Sequence, residues 1–183
     1  MAMTKQKLWT YEKYYKIDDD TRYEVIEGEL IEMASPRYIH QNILCSLAAK
    51  LWYYVDERKM GKILPAPFDT VLSDINVFQP DILFVSQENL DIIQERGVFG
   101  TPDLVIEILL PSNPSHDKVK KFKLYEKFLV KELWIIDPDE KSIQIHTLED
   151  NSLVLSCEVS ETGKVKSKIF HELDLSFNER FSI

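Results

Sequence analysis

Asn76 to Pro111 reads NVFQPDILFVSQENLDIIQERGVFGTPDLVIEILLP, and its two apolar runs, Ile82 to Val85 and Leu104 to Leu110, set the expectation for the fold. Each run opens on a Pro-Asp dipeptide and reads as a buried strand. The second is interrupted by one carboxylate, Glu107. Desolvating an ionised group costs several kcal/mol or more unless something compensates it, so Glu107 is the leading functional clue.

Working outward, the residues between the runs, Gln87 to Gly100, predict a short helix around Leu90 to Ile93 and a Gly-containing turn. On the N-terminal side, Ile63 to Leu72 predicts an edge or bulged strand, because it contains Pro65 and Pro67. Before it, Ile43, Leu47, Leu51 and Tyr54 recur at helical spacing and predict a helix from His40 to about Val55 that packs on the sheet. Arg22 to Met33 predicts a hairpin turning at Glu27-Gly28, and Leu8 to Lys16 a short amphipathic helix.

On the C-terminal side, Pro111 to Pro114 break the chain and Ser115 is placed to cap a helix from about His116 to Phe128. Lys131 to Asp137 and Ser142 to Thr147 predict a hairpin, and Leu153 to Val159 with Lys164 to Phe170 a further strand pair around Thr162-Gly163. Leu173 to Ile183 carries no chemical pattern.

The 183 residues, 44% of them hydrophobic, fit one domain spanning 1–183 with a sizeable core. Neither a signal peptide nor an apolar run of membrane-spanning length is visible, which predicts a soluble, cytoplasmic protein. Cys45 and Cys157 match no metal-binding spacing and read as reduced structural thiols. A formal net charge of −9 argues against a general nucleic-acid binder. Lysines nevertheless cluster locally, at 118, 120, 121, 123, 127 and 131 and again at 164, 166 and 168.

Asp81 and Glu107 each bring one carboxylate to a strand. Two such groups a few ångströms apart supply hard oxygen ligands, which suit Mg²⁺ or Mn²⁺ rather than Zn²⁺. The backbone carbonyl of Ile108 is a plausible third protein ligand. A metal held there would polarise a phosphate and activate water, and a nearby lysine would stabilise the developing negative charge. Helical spacing alone leaves Lys118, Lys120, Lys121 and Lys123 open for that part. Glu24 reads either as a solvent-facing strand residue or as a neighbour of Glu107 in one cleft. His40 reads either as a structural group at a helix start or as a contact to a phosphate. Tyr125, four residues after Lys121 on the same helix face, either packs or hydrogen-bonds in the site. Asp103 reads as a strand-terminus residue and Asp117 as a helix-start charge.

An Asp after Pro at the start of one strand, a Glu within the next and a Lys nearby resemble the PD-(D/E)xK nuclease arrangement. More closely, the chain resembles the Uma-type bacterial family of restriction-endonuclease-like proteins. The matching pieces are Tyr23-Glu24, Gly28 to Leu30, His40, Pro67-Phe68, Gln79 to Asp81 and Pro102 to Glu107. They continue through Pro111-Ser112, Asp117, Lys121, Tyr125, Glu132, Trp134 and Asp137-Pro138. The resemblance implies an α/β (α+β) fold with a restriction-endonuclease-like core, a central mixed sheet flanked by helices and additional antiparallel hairpins. It also implies Asp81 and Glu107 as metal ligands. The standard motif places its lysine two residues after the Glu, where this chain has Leu109; the resemblance assigns the role to Lys121 on the following helix. Two positions depart from the family pattern, Leu110 where Ser is usual and Leu129 where Gly is usual.

The expectation is therefore an Mg²⁺- or Mn²⁺-dependent endonuclease acting on DNA, with a homodimer suited to cutting both strands. The alternatives are a catalytically inactive nucleic-acid-binding or regulatory module on the same fold, and an ordinary interaction protein.

Overall fold

The computed structural model describes residues 8–110, 115–160 and 163–175. A helical turn α1 (Tyr11–Tyr14) precedes the hairpin β1 (Tyr23–Ile26) and β2 (Glu29–Glu32), and the long helix α2 (Tyr38–Glu57) follows. Strands β3 (Gly61–Pro65), β4 (Thr70–Ser73), β5 (Asn76–Phe78) and β6 (Ile82–Ser86) come next. A 3-10 turn at Gln87–Ile92 leads into the short pair β7 (Ile93–Gln94) and β8 (Gly97–Phe99). Then come β9 (Leu104–Ile108), α3 (Ser115–Lys127), β10 (Glu132–Asp137), β11 (Ser142–Glu149) and β12 (Ser152–Ser160).

The two apolar runs become the adjacent strands β6 and β9 of a six-stranded sheet ordered β12-β11-β10-β9-β6-β3. The pairs β1-β2, β4-β5 and β7-β8 gather into a second six-stranded sheet, β2-β1-β5-β4-β8-β7. Both are mixed: β9 runs parallel to β10 and β4 parallel to β8, and the other pairings are antiparallel. The expected mixed sheet flanked by helices is thus present; three hairpins form a second sheet, and the β10-β11-β12 hairpins extend the first.

Alternation along the central strands divides the core in two. Ile82, Phe84, Leu104, Ile106, Trp134 and Ile136 cluster with Ile43, Leu47 and Leu51 of α2. The intervening residues Leu83, Val85, Val105 and Leu133 cluster instead with Phe78 of β5 and with Leu124 and Tyr125 of α3. Glu107, two residues after Val105, falls on this second face.

Several expectations are corrected. Leu8 to Lys16 forms only the single turn Tyr11–Tyr14, capped by Thr10, whose side chain accepts from the Lys13 amide. Ile63 to Leu72 is two strands in different sheets: β3 pairs with β6, whereas β4 pairs with β5 and β8. Pro65 and Pro67 mark that crossing, because proline has no amide to give to a continuing ladder. The 93–99 segment is not a plain turn but the pair β7 and β8, which extends the second sheet. Lys164 to Phe170 is not a strand, since β12 pairs with β11. Its alternating burial belongs to an extended strap instead. Phe170 packs edge-on to Phe84 and Tyr54, and buried Glu132 accepts from Ser167 Oγ at 2.6 Å and the Lys168 amide at 2.8 Å. The predicted break at Pro111 to Pro114 and the turn residue Thr162 lie outside the described residues.

The end of α3 explains one departure from the family pattern. The Leu129 amide donates to the Glu126 carbonyl and the Val130 amide to the Tyr125 carbonyl, the paired bonds of a Schellman motif. That motif sets Leu129 at φ 60, left-handed backbone that favours glycine. Leu129 is 47% exposed, so its side chain buries little in return. A left-handed non-glycine residue costs about 1–2 kcal/mol, against about 0.4–1 kcal/mol that glycine loses through the unfolded chain. Leu129→Gly is expected to raise stability by about 0.5–1 kcal/mol in urea unfolding. An unchanged or lower midpoint means that the Leu129 side chain contributes more packing than its exposure suggests.

Candidate active site

Asp81, Glu107, Lys121, Glu24, His40 and Tyr125, with the backbone at Ile108, all border one cavity of about 400 Å³. Four elements, β1, α2, β9 and α3, and the residue before β6 supply them. Asp81 sits immediately before β6, and β6 stops pairing with β9 at Ile82↔Ile106. The next β9 amide in that edge, Ile108, donates instead to Asp81 Oδ2 at 2.7 Å. A side-chain carboxylate thus stands where the ladder runs out, and its position is set by the backbone of the strand carrying Glu107. The other oxygen, Oδ1, lies 3.1 Å from His40 Nε2 in the first turn of α2. His40 is buried, and its Nδ1 has no hydrogen-bond partner.

Glu107 lies on the face of β9 that α3 covers. Tyr125 donates its hydroxyl to Glu107 Oε1 at 2.5 Å, and Lys121 Nζ is 3.5 Å from the same oxygen. Lys121 also donates to Glu24 Oε1 at 2.7 Å. Glu24 is therefore not solvent-facing, because its side chain is only 5% exposed. Its strand β1 lies inside the other sheet, between β2 and β5, and is covered on both faces, with Val25 and Ile26 both buried.

Three carboxylates around one ammonium perturb each other. Burial pushes the Glu107 carboxyl up to about 7; Lys121 opposes the shift, while Asp81 and Glu24 add to it. Burial acts to lower the Lys121 pKa, but Glu107 and Glu24 outweigh it and hold the ammonium above its usual range. Burial, then the charges of Glu107 and Glu24, keep the Tyr125 hydroxyl protonated well above the usual tyrosine range. Tyr125 therefore acts here as a hydrogen-bond donor, with its ring packed 5.5 Å from that of Phe78.

The other lysines of α3 fall elsewhere. Lys120 lies 3.6 Å from Glu29 and Lys123 is exposed, while the Lys118 side chain is outside the described residues. Asp103 is not in the cavity: it pairs with Lys131 at 2.6 Å and accepts from the Ser86 amide.

Gln79 is a residue whose part the sequence reading did not draw out. Its amide donates to Glu24 Oε1 at 3.0 Å, its Nε2 to Asp69 at 2.9 Å and to Tyr14 at 3.1 Å, and its Oε1 accepts from Arg22. It thereby ties the strand of Glu24 to the residue two before Asp81. The only signal for it in the sequence is its place directly before Pro80-Asp81. Among the described residues no three or more His, Cys, Asp or Glu side chains are grouped so that they could hold a metal ion.

Comparison with known proteins agrees with this architecture. A solved structure from Anabaena variabilis, described as a putative nuclease, superposes with a TM-score of 0.78 over 94% of this chain and 97% of that one, at 21% identity. Among curated proteins, none matches the sequence. The family profile described as "Putative restriction endonuclease" matches residues 10–178, and the chain belongs to that family, Uma2.

Proposed function

We propose that the protein is a divalent-metal-dependent endonuclease that hydrolyses DNA phosphodiester bonds, with Asp81 and Glu107 as metal ligands and Lys121 as the displaced lysine of a PD-(D/E)xK-type site. The observation that carries this reading is the 3.5 Å approach of Lys121 to Glu107 from a different element. In a strand, residues two apart share a face. A lysine at position 109 would project on the face of Glu107, and α3 packs on that face, so Lys121 reaches the same region from above.

The donor set fits a hard divalent cation. Mg²⁺ keeps several waters and binds through one or two carboxylates plus substrate phosphates, so a complete protein cage is not required. Asp81 and Glu107 supply carboxylates, and the Ile108 carbonyl leaves its strand on the same edge as the amide that Asp81 holds. Burial and three neighbouring acids leave an excess of negative charge that a cation would offset. Bound there, the metal would supply Lewis acidity and a water of lowered pKa.

The protein groups divide the remaining work. Lys121 carries three N–H donors; one goes to Glu24 and Glu107 lies 3.5 Å away, which leaves donor capacity for a phosphate oxygen or the attacking water. Glu24 and Tyr125 orient Lys121 and Glu107, and His40 orients Asp81. Hydrolysis adds hydroxide to phosphorus and a proton to the leaving oxygen, and Lys121 balances the negative charge that builds up between those events.

Purified protein is expected to cut DNA in Mg²⁺ or Mn²⁺. Asp81→Asn or Glu107→Ala should abolish cutting, and Lys121→Ala should slow it about 100- to 1000-fold. His40→Ala, by loosening Asp81, should weaken metal binding about 10- to 100-fold. Binding of DNA without cutting in either metal would favour the inactive nucleic-acid-binding module.

The Glu107 shift adds a pH dependence. Its carboxyl titrates near 7 folded against 4.5 ordinarily, so the folded state holds the proton more tightly. In the metal-free protein this contributes stability that is full below pH 4.5 and lost as pH rises through about 7. Metal needs the ionised form, so its affinity should climb about tenfold per pH unit below 7. Glu107→Gln is expected to flatten both trends and raise metal-free thermal stability at pH 8. Unchanged pH curves for stability and metal binding would show that Glu107 ionises at an ordinary pH.

A further inference from the structure

We propose, resting on the nuclease reading above, that the phosphodiester accepted by this site belongs to an unpaired single strand of DNA, with one nucleotide seated in the cavity, and not to continuous duplex. The first observation is depth. The side chains of Asp81, Glu107 and Lys121 are only 14%, 18% and 18% exposed, so a phosphate must enter the protein to meet them. The cavity they border, about 400 Å³, is at the small end of the range for small-molecule pockets, about 300–1,000 Å³, and suits a single nucleotide rather than a double helix.

The second observation is the wall. Besides its charged groups, the cavity is bordered by Ile31, Met33, Leu44 and Phe122, an apolar surface for a sugar and a base taken out of a stack. The third is charge. Duplex binding draws its affinity from cations that neutralise two closely charged backbones. Here Arg22 and Lys121 are the only Arg or Lys among the described residues bordering the cavity, and both are engaged, Arg22 by Gln79 and Lys121 by Glu24 and Glu107. Beyond Leu109 and Ile135, which border the cavity, the surface opens into a hollow carrying Asp137, Glu140 and Glu158. The phosphates of a duplex crossing the site would meet that acidic surface, and the whole chain carries a net charge of −9. A single strand brings one charged backbone instead of two. It also avoids the unpairing and unstacking that a duplex must undergo to deliver one nucleotide.

The test uses the wild-type protein with one sequence as single strand, continuous duplex, and duplex with a central unpaired bubble. Cutting is followed in Mn²⁺ and binding by fluorescence anisotropy in Ca²⁺. Single strand and bubble are expected to be cut and bound at least about 100-fold better than continuous duplex. Glu140→Lys with Glu158→Lys, both outside the proposed machinery, should improve duplex binding about tenfold and leave single-strand cutting unchanged. Duplex cut or bound as well as single strand overturns the inference and leaves the nuclease reading standing. Preferential single-strand binding with no cutting of any form supports the inference and ends the nuclease reading, and absence of binding to all three forms overturns both.

Discussion

One ammonium held between carboxylates of two sheets is the constraint on which the site depends. Glu24 comes from β1 in one sheet, Glu107 from β9 in the other, and Lys121 from α3 lies 2.7 Å and 3.5 Å from their oxygens. Burying an ion pair gains little by itself, because desolvation consumes most of the attraction, but removing one partner leaves an uncompensated buried charge. The cluster therefore does more to determine how β1, β9 and α3 meet than to stabilise them. Apolar packing of Ile26, Leu124, Tyr125 and Val105 in one cluster brings the same three elements together.

The second constraint is the early end of β6. Because its pairing with β9 stops at Ile82↔Ile106, the amide of Ile108 would be left without a ladder partner. Asp81 supplies one at 2.7 Å, and its other oxygen meets His40 at 3.1 Å. The acid is thus positioned by a backbone requirement, which fixes it more firmly than a side-chain contact alone would. Gln79 continues the same economy two residues earlier, with its amide on Glu24 and its side chain on Asp69, Tyr14 and Arg22. The short segment Gln79-Pro80-Asp81 consequently serves both carboxylate neighbourhoods.

Negative charge, which argues against a general nucleic-acid binder, takes on a local meaning in this arrangement. Burial first, and then the charges of Asp81 and Glu24, raise the Glu107 carboxyl against the opposing pull of Lys121. In the proposed nuclease a phosphate would be drawn to the metal and to Lys121 rather than to a basic surface. The acidic hollow beyond Leu109 and Ile135 narrows the routes by which a polyanion can approach.

The sequence by itself determined the strands β6 and β9, the helix α2, the hairpins at Glu27-Gly28 and after Asp137, and the oddity of an acid at Glu107, because short-range periodicity and turn chemistry are local properties. It also carried the family resemblance that singled out Lys121 among neighbouring lysines. Local pattern misread Ile63 to Leu72 and Lys164 to Phe170, where apolar alternation serves a crossing between sheets and a strap over the core. It left Glu24 open, since alternation cannot say whether a strand is covered on one face or on both. Only the tertiary structure decided that Glu24, Gln79 and His40 converge on Asp81, Glu107 and Lys121. Those contacts join residues far apart in the chain, and their geometry follows from where β6 ends and which face α3 covers.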